Sequence, residues 1–483
     1  MSGGLIDGVA APRLVLVGLG PHARRIYMHS FRKYQLQPDL VVELESERAR
    51  VEAYFAAAGY RPELIFVPDA ARDAKSLDPA TARSLLVRMS ELGVTHAVIS
   101  TEPKAHFAYV DFFLTHHINV LTDKPITAPV AVSTDERRSA LIESEFNLLN
   151  DRYESARAVA DVTCQVQCQR RWHEGYRHAR GLVEQCVRDY GVPITSIDVY
   201  HCDGMWNMPD EFFLRENHPY KYGYGKLFHS GYHFIDLMCW FHSVNAALPG
   251  KLPDSAEVYA AAVRPSDFFT MINQDDYRRL LGTDRFASHL DEEHVGRAEQ
   301  FGEIDLHALV QFRRGARTVT TASLNLLQNG FSRRAWDFLP ADAYKGNGRV
   351  RHERVNIQVG PLLNLQVHSY QSAEIKDRGI ESDDGVGTME HFEIYVFRNT
   401  EIIGGVPFER IPLKELIKPA DGDGFIGFNE QARERSLMHF LASRDDQSSD
   451  LTEHDVPVKV MANVYSSLSR RSAGRSPVVE FAI

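Results

Sequence analysis

Residues 13–23 read R-L-V-L-V-G-L-G-P-H-A, a short apolar run that ends on glycine and opens into a helical pattern expected over about 23–32. This junction restricts the fold more than any other part of the chain. In the order strand, turn, helix, the pattern G-x-G-x-x-A makes a tight turn at Gly18 and lets the main chain approach a phosphate at Gly20. Ala23 keeps the helix close to its strand, and the helix N-terminus offers N–H groups and a favourable dipole to an anion. Gly18, Gly20, Pro21, His22 and Ala23 are therefore expected to contact a dinucleotide. A second apolar run, Leu40 to Leu44, contains Glu43, about 25 residues beyond Gly18, where a carboxylate takes the ribose hydroxyls and repels a 2'-phosphate. NAD is favoured over NADP on that ground, with Glu45 as the alternative acid.

The pattern repeats downstream. A helical stretch carries Val51, Tyr54, Phe55 and Ala58; Thr95 to Ser100 reads as a third strand; Phe107, Val110, Phe113 and Leu114 fall at helical spacing; Asn119 to Leu121 reads as a fourth strand. Strands alternating with helices in this way specify a parallel, doubly wound α/β sheet. Residues 62–90 are longer than a connection and read as an insertion. A long helix is expected over 135–160, and the alternating run Val162 to Gln169 is expected to close the sheet. Beyond Arg170 the period changes. Leu306, Ala308, Val310 and Phe312 alternate with polar residues, Gly315 marks a turn, and Thr318 to Leu326 alternates again, with the same signal in 355–367 and 391–397. That is a large, open, mainly antiparallel sheet in an α+β domain. The expected division is a Rossmann domain over 12–169 and a substrate-binding and oligomerisation domain over 170–483.

Composition excludes several classes. With 483 residues, 44% hydrophobic and 25% charged, the chain is ordinary for a globular protein of two domains. A formal net charge of −11 with no dense Lys/Arg stripe argues against nucleic acid as a partner. No apolar run reaches membrane-spanning length, residues 1–12 lack the features of a signal peptide, and five cysteines without a C-x-x-C pair suit reduced thiols. A cytoplasmic location and a small-molecule partner are expected.

Two segments carry chemistry. Thr122-Asp123-Lys124-Pro125 sets a lysine at the C-terminal edge of the sheet, where open α/β sheets bind ligands. Residues 223–236, G-Y-G-K-L-F-H-S-G-Y-H-F-I-D, enter a helix after a glycine turn, with His229, His233 and Asp236 at i, i+4 and i+7 on one expected face.

Together these segments resemble the glucose-fructose oxidoreductase and inositol dehydrogenase family. Its marks are the N-terminal fingerprint, a T-P-N-x-x-H segment (loosely matched by Thr101 to His106), an E-K-P segment (Asp123-Lys124-Pro125) and a G-G-G-x-x-x-D-x-G-x-H-x-x-D helix (Gly223 to Asp236). Gln169-Arg170-Arg171-Trp172 resembles the family's exit from its Rossmann domain. The resemblance implies that Thr101, Glu102, His106, Asp123, Lys124 and Arg170 line the cofactor. It implies that Lys124 binds the reacting hydroxyl, that His233 is the acid/base, and that Asp236 orients the helix or a substrate hydroxyl. His229 stands where the family commonly has aspartate, so the anionic partner of a charged His233 is missing and a His pair would titrate jointly.

The implied substrate is a sugar, cyclitol or derivative, and Trp206, Asn207, His218, Tyr220, Tyr222 and Tyr224 form a mix able to stack on a sugar face. The implied assembly is a homodimer or homotetramer through the C-terminal sheet. Three alternatives stay open: a relative that uses NAD transiently for elimination or glycoside cleavage, a non-catalytic ligand sensor, and a zinc enzyme built on His229, His233 and Asp236. Lys124 argues against the second. The lack of an H-E-x-x-H pattern argues against the third, so no metal is expected.

Overall fold

The computed structural model of the protein describes residues 5–6, 9–10, 12–330, 332–333, 350–372, 391–417, 427–442 and 448–483. By contact the chain forms two interleaved units. The first is Met1–Ala128 with Ile142–His173 and Ala420–Asp455; the second is Pro129–Leu141 with Glu174–Pro419 and Val456–Ile483. One crossing, at 173, falls beside the boundary expected near Arg170. The others lie within the helix Glu136–Arg157, at its approach, and near 420 and 455.

The first unit is built on a six-stranded parallel sheet. Its strands are β1 (Leu14–Val17), β2 (Leu40–Leu44), β3 (Glu63–Val67), β4 (His96–Ile99), β5 (Asn119–Thr122) and β6 (Cys164–Val166), in the spatial order β3-β2-β1-β4-β5-β6. All four side chains of β1 and of β4 are buried, because helices cover both faces of a parallel sheet; each large aliphatic side chain so buried contributes about 2 kcal/mol. The expected insertion over 62–90 is a misreading. It supplies β3, paired in parallel with β2 from Leu40↔Glu63 to Leu44↔Val67, and the helix Pro79–Leu92, which starts at the Asp78 cap and stops at a left-handed Gly93. As an edge strand β3 buries only Val67 fully, so its hydrophobic signal is weak.

The first helix is also not continuous: it divides at Ile26 into α1 (Pro21–Arg25) and α2 (Tyr27–Lys33). β6 is shorter than the alternating run suggests, since after Val166 the chain turns into the 3-10 segment Gln169–Trp172. Its outer edge is covered by the C-terminal part of the same unit, where Val166 donates to Ser449 O at 2.9 Å and Gln165 bridges Asp450. A late helix, Phe428–Leu441, adds Leu437, Phe440 and Leu441 to a core with Leu14, Leu16, Met28 and Phe31. The N-terminal sheet is thus completed by residues more than 250 positions away from its last strand.

The second unit holds a nine-stranded sheet. In chain order its strands are β7 (Ile194–Cys202), β8 (Ser255–Val263), β9 (Asp305–Arg314), β10 (Arg317–Leu327), β11 (Val350–Val359), β12 (Leu363–Ser372), β13 (His391–Arg398), β14 (Phe408–Pro412) and β15 (Val479–Ala482). They lie in the order β14-β13-β12-β11-β7-β10-β9-β8-β15, antiparallel except for the β10–β7 pair. The alternating signal in 355–367 is two strands joined by a turn, not one. Ile197, Val199, Val355, Ile357, Leu365, Val367, Ile394 and Val396 are all buried, while Asp198, Asn356, Gln366 and Tyr395, which alternate with them, are only partly covered. Between β8 and β9 the chain leaves the hairpin for an excursion over 264–304 that includes the helices Pro265–Met271, Gln274–Leu281 and Glu292–Ala298. No helix among the described residues is long and apolar enough to cross a membrane.

Candidate functional site

In the first unit the chain runs outward from β1 to β2 and β3, then returns to β4 on the other side of β1. The carboxyl ends of β1 and β4 therefore flank the crevice where ligands of open α/β sheets bind. Gly18 follows β1 directly, with φ +89°, and a Cβ there would come within 2.5 Å of Ser100 O at the end of β4. Only glycine lets these two strand ends close up. Gly20 differs: it has an ordinary φ of −70°, and a Cβ built on it meets nothing within 4 Å, so its main chain faces open space. Pro21 begins α1 and lacks an N–H, leaving His22 and Ala23 to present theirs; Ala23 is fully buried.

Glu43, near the end of β2, accepts from Leu19 N at 2.7 Å and from Leu44 N at 2.9 Å, which holds its carboxylate against the turn. Glu45 points elsewhere: it is exposed and pairs with Arg48 at 2.7 Å, a contact that holds its pKa below the usual carboxylate value. An open cradle at Gly20, a pinned Gly18 and an acid at the end of the adjacent strand fit a dinucleotide.

Asp123, after β5, is a hub. Ser100 Oγ donates to it at 2.6 Å, the Tyr27 hydroxyl from α2 donates to its other oxygen, and His22 Nε2 lies 3.7 Å away. Burial and then Asp123 raise the Tyr27 pKa well above its ordinary value, so this phenol stays a donor. Lys124 follows, half-buried, and its bond to Pro125 is cis. His106 is fully buried, with Nδ1 2.7 Å from Pro125 O and Nε2 3.1 Å from Thr101 O. Both ring nitrogens thus face main-chain carbonyls between the 101 and 125 loops; burial lowers the pKa, and the neutral ring donates to one carbonyl at a time. Thr101 Oγ1 donates to Glu102 O at 3.2 Å, and Glu102 precedes the short 3-10 turn Pro103–Ala105. Arg170 lies in the turn after β6 and is 1% exposed. Tyr27 and Ser100 were not foreseen, because neither belongs to a motif and each is identified only by its contact with Asp123.

In the second unit the glycine segment 223–231 is packed tightly. A Cβ at Gly225 would fall 2.0 Å from Glu303 O, and Gly223 has φ +73°. The helix then starts with a π-turn, Leu227–Gly231, and becomes α-helical over Tyr232–His242. The expected common face of His229, His233 and Asp236 presumes an unbroken α-helix. A π-turn has a wider i→i+5 pattern, and His229 lies inside it. Its Nε2 faces Pro219 O at 3.1 Å, its ring packs among His218, Tyr220 and Tyr224, and the three side chains do not gather their ligand atoms as one ion-binding group. His233 is 5% exposed and Asp236 fully buried.

Two buried clusters fix this helix start. Glu303 accepts from Leu227 N at 2.8 Å, Ser133 Oγ at 2.6 Å and Tyr465 Oη at 3.0 Å, and burial raises its pKa. Lys226, fully buried, donates to Asp203 at 2.6 Å and lies 3.0 Å from His201 Nδ1; burial lowers its pKa, and Ser230 also donates to Asp203 at 2.9 Å. Neither cluster was foreseen, since their members are scattered along the sequence. Of the aromatic segment expected to meet a sugar, Tyr220 and Tyr224 are each 1% exposed, as is Asn207. Tyr220 belongs to a core with Phe212, Phe268 and Phe301, and half-buried Trp206 stacks on Tyr277. Apolar packing against the 264–304 excursion takes Tyr220, and Tyr224 packs on Phe228 and His229, while Trp206, His218 and Tyr222 stay partly accessible.

No protein-family model matches this sequence, and no curated protein matches it. Solved structures do match in fold. An oxidoreductase from Agrobacterium radiobacter, in complex with NAD+, L-tartaric acid and magnesium, aligns with a TM-score of 0.55 and 11% identity over 97% of this chain and 98% of its own. The WlbA dehydrogenase from Bordetella pertussis, in complex with NADH and UDP-GlcNAcA, aligns at 0.53 and 13% over 98% and 99%. Apo scyllo-inositol dehydrogenase from Lactobacillus casei aligns at 0.51 and 13% over 97% and 98%. At these identities the agreement is one of fold, and it covers both units.

Proposed function

We propose that this chain is a nicotinamide-dependent oxidoreductase that transfers hydride between the cofactor and a hydroxyl or keto carbon of a sugar, cyclitol or related polyhydroxylated molecule. The observation that carries this is the turn at the switch point: Gly18 closed against Ser100, Gly20 open, and Glu43 held beside them. Fold neighbours in complex with NAD+ or NADH, and with small polar ligands, support both the cofactor and the substrate class.

The nicotinamide ring supplies the hydride acceptor or donor when bound. Gly18, Gly20, Pro21, His22 and Ala23 would hold the pyrophosphate, and Glu43 the adenosine ribose. Thr101, Glu102 and Arg170 belong to the same binding surface, with His106 and Asp123 fixing its loops. Lys124 binds the reacting oxygen and favours the negative charge that develops on it. His233 takes the hydroxyl proton in oxidation and returns it in reduction, as an imidazole can do near neutrality. Asp236 and His229 shape the helix that carries it. A cytoplasmic homodimer or homotetramer is part of the same proposal, supported by five cysteines without a disulfide and by the partly exposed alternate side chains of the nine-stranded sheet.

Titration of the full chain with NADH, followed by nicotinamide fluorescence, tests the cofactor. Saturable binding that is lost in Gly20→Val is expected; no binding would overturn the proposal. Lys124→Ala and His233→Ala should each lower turnover by about a thousandfold or more, with NADH affinity little changed. Wild-type turnover in either variant would remove that residue from the chemistry.

A further inference from the structure

Glu43 accounts for a preference for a 2'-hydroxyl on the adenosine ribose, but the same corner of the turn carries a cation that this role does not use. Arg24, the residue after Ala23, donates its Nε to Leu19 O at 3.1 Å. Leu19 N donates to Glu43. Arg24 and Glu43 therefore grip the two ends of one residue, the one between the two glycines of the turn.

Their charges are not equally compensated. Both carboxylate oxygens of Glu43 accept a main-chain N–H, from Leu19 and from Leu44. A carboxylate so engaged repels a second anion less than a bare one does. Arg24 is complemented less completely: Leu19 O takes its Nε, and the nearby carboxylates of Glu47 and Glu43 act on it without a hydrogen bond. Its guanidinium sits 5.1 Å over the Tyr54 ring, and its Nη2 and the Tyr54 hydroxyl are both buried without a protein hydrogen-bond partner among the described residues. After burial, the largest influence lowering the Arg24 pKa is a second cation, Arg50, which itself pairs with Glu47. A guanidinium nitrogen of Arg24 and the Tyr54 phenol, both unsatisfied beside the ribose acid, call for an acceptor with several oxygens, which a phosphate monoester supplies.

We infer that Arg24 is a specificity-determining residue for the 2' position of the adenosine ribose, and that through it the turn accepts a 2'-phosphate, so the chain binds NADP as well as NAD. Tyr54 adds a hydroxyl donor to the same group. This rests on the dinucleotide reading of the turn, and it departs from the sequence expectation that an acid on β2 or just after it favours NAD over NADP.

Calorimetric titration of the full chain with NAD+ and with NADP+ tests it. The wild type should bind NADP+ within about thirtyfold of NAD+, and Arg24→Ala should weaken NADP+ about tenfold more than it weakens NAD+. Arg24→Gln keeps a donor for Leu19 O and should show the same selective loss if the alanine variant does not fold. Binding of NAD+ with NADP+ weaker than that limit, or an unchanged ratio in the Arg24 variants, would overturn the inference while leaving the dinucleotide site intact. Binding of neither nucleotide would overturn the dinucleotide reading and this inference with it.

Discussion

Strands of the parallel sheet are at most five residues long and, at its centre, buried on both faces, whereas those of the nine-stranded sheet run to eleven and bury alternate side chains. The difference decides where each unit can keep chemistry. In the first, the central strand positions are committed to the core, so the candidate site residues fall at or just past strand ends, at 18–23, 43, 100–101 and 123–124. In the second, chemistry is assembled from residues far apart in sequence. Ser133, Leu227, Glu303 and Tyr465 meet in one cluster, and His201, Asp203, Lys226 and Ser230 in another. Substitutions in the first unit should therefore separate binding from stability, and substitutions in these second-unit clusters should act on stability first.

The sharpest contrast lies within the glycine turn. Gly18→Val forces a side chain onto Ser100 O at a left-handed φ and should cost about 3 kcal/mol or more, together with all NADH binding. A Cβ at Gly20 meets nothing within 4 Å, so Gly20→Val should cost no more than about 1 kcal/mol, the loss of a favourable N-cap, while abolishing binding. Equal loss of stability in both variants would break the distinction between closed and open turn positions.

Glu303→Ala comes next. It strands two hydroxyl donors and a main-chain N–H in the interior, at about 3 kcal/mol, with Glu303→Gln costing less. Urea unfolding measures the loss, and NADH affinity should stay near wild type.

Acid sensitivity is shared by the units. His96 lies edge-on to Phe440 in the first, and His242 stacks on Phe312 in the second; burial lowers each from 6.5 to about 4. The unfolded chain takes up the proton first, so the stability each contributes is intact above pH 6.5 and is lost as pH falls from there towards 4. The loss is at most about 3 kcal/mol per histidine. His96→Leu and His242→Leu should each flatten the fall in urea midpoint between neutral and mildly acidic pH; an unchanged slope would show that the imidazole is not held neutral. The smallest effect belongs to Glu45→Ala, which removes an exposed pair with Arg48 and should change stability by no more than about 0.5 kcal/mol and nucleotide affinity not at all.

The same contrast explains what could be read from sequence. β1, the glycine turn and β2 were legible because continuous apolar runs and a fixed glycine spacing have one structural meaning. β3 was not, since an edge strand buries little and Pro62 with a charged helix beside it resembles an insertion. Nor was the helix Phe428–Leu441, which completes the first core from far along the chain. The helix after the glycine turn was located correctly, but its opening π-turn was not, and Gly225 and Gly302 beside it pack against backbone remote from the segment or within it. No spacing rule within that segment reports it. Tyr220 looked like a ligand-facing aromatic because the excursion that packs on it begins some forty residues later, and Tyr224 packs on Phe228 and His229 of the helix that follows it.

The central claim is hydride transfer, and the direct test is the absorbance of reduced nicotinamide when the full chain is given NAD+ or NADP+ and a panel of polyols, aldoses and cyclitols. A rise with at least one polyhydroxylated compound, absent in Lys124→Ala, is the predicted result. Conversion of a panel member with no net change in the cofactor would contradict it, whereas reduction that survives the loss of Lys124 would remove that lysine from the chemistry.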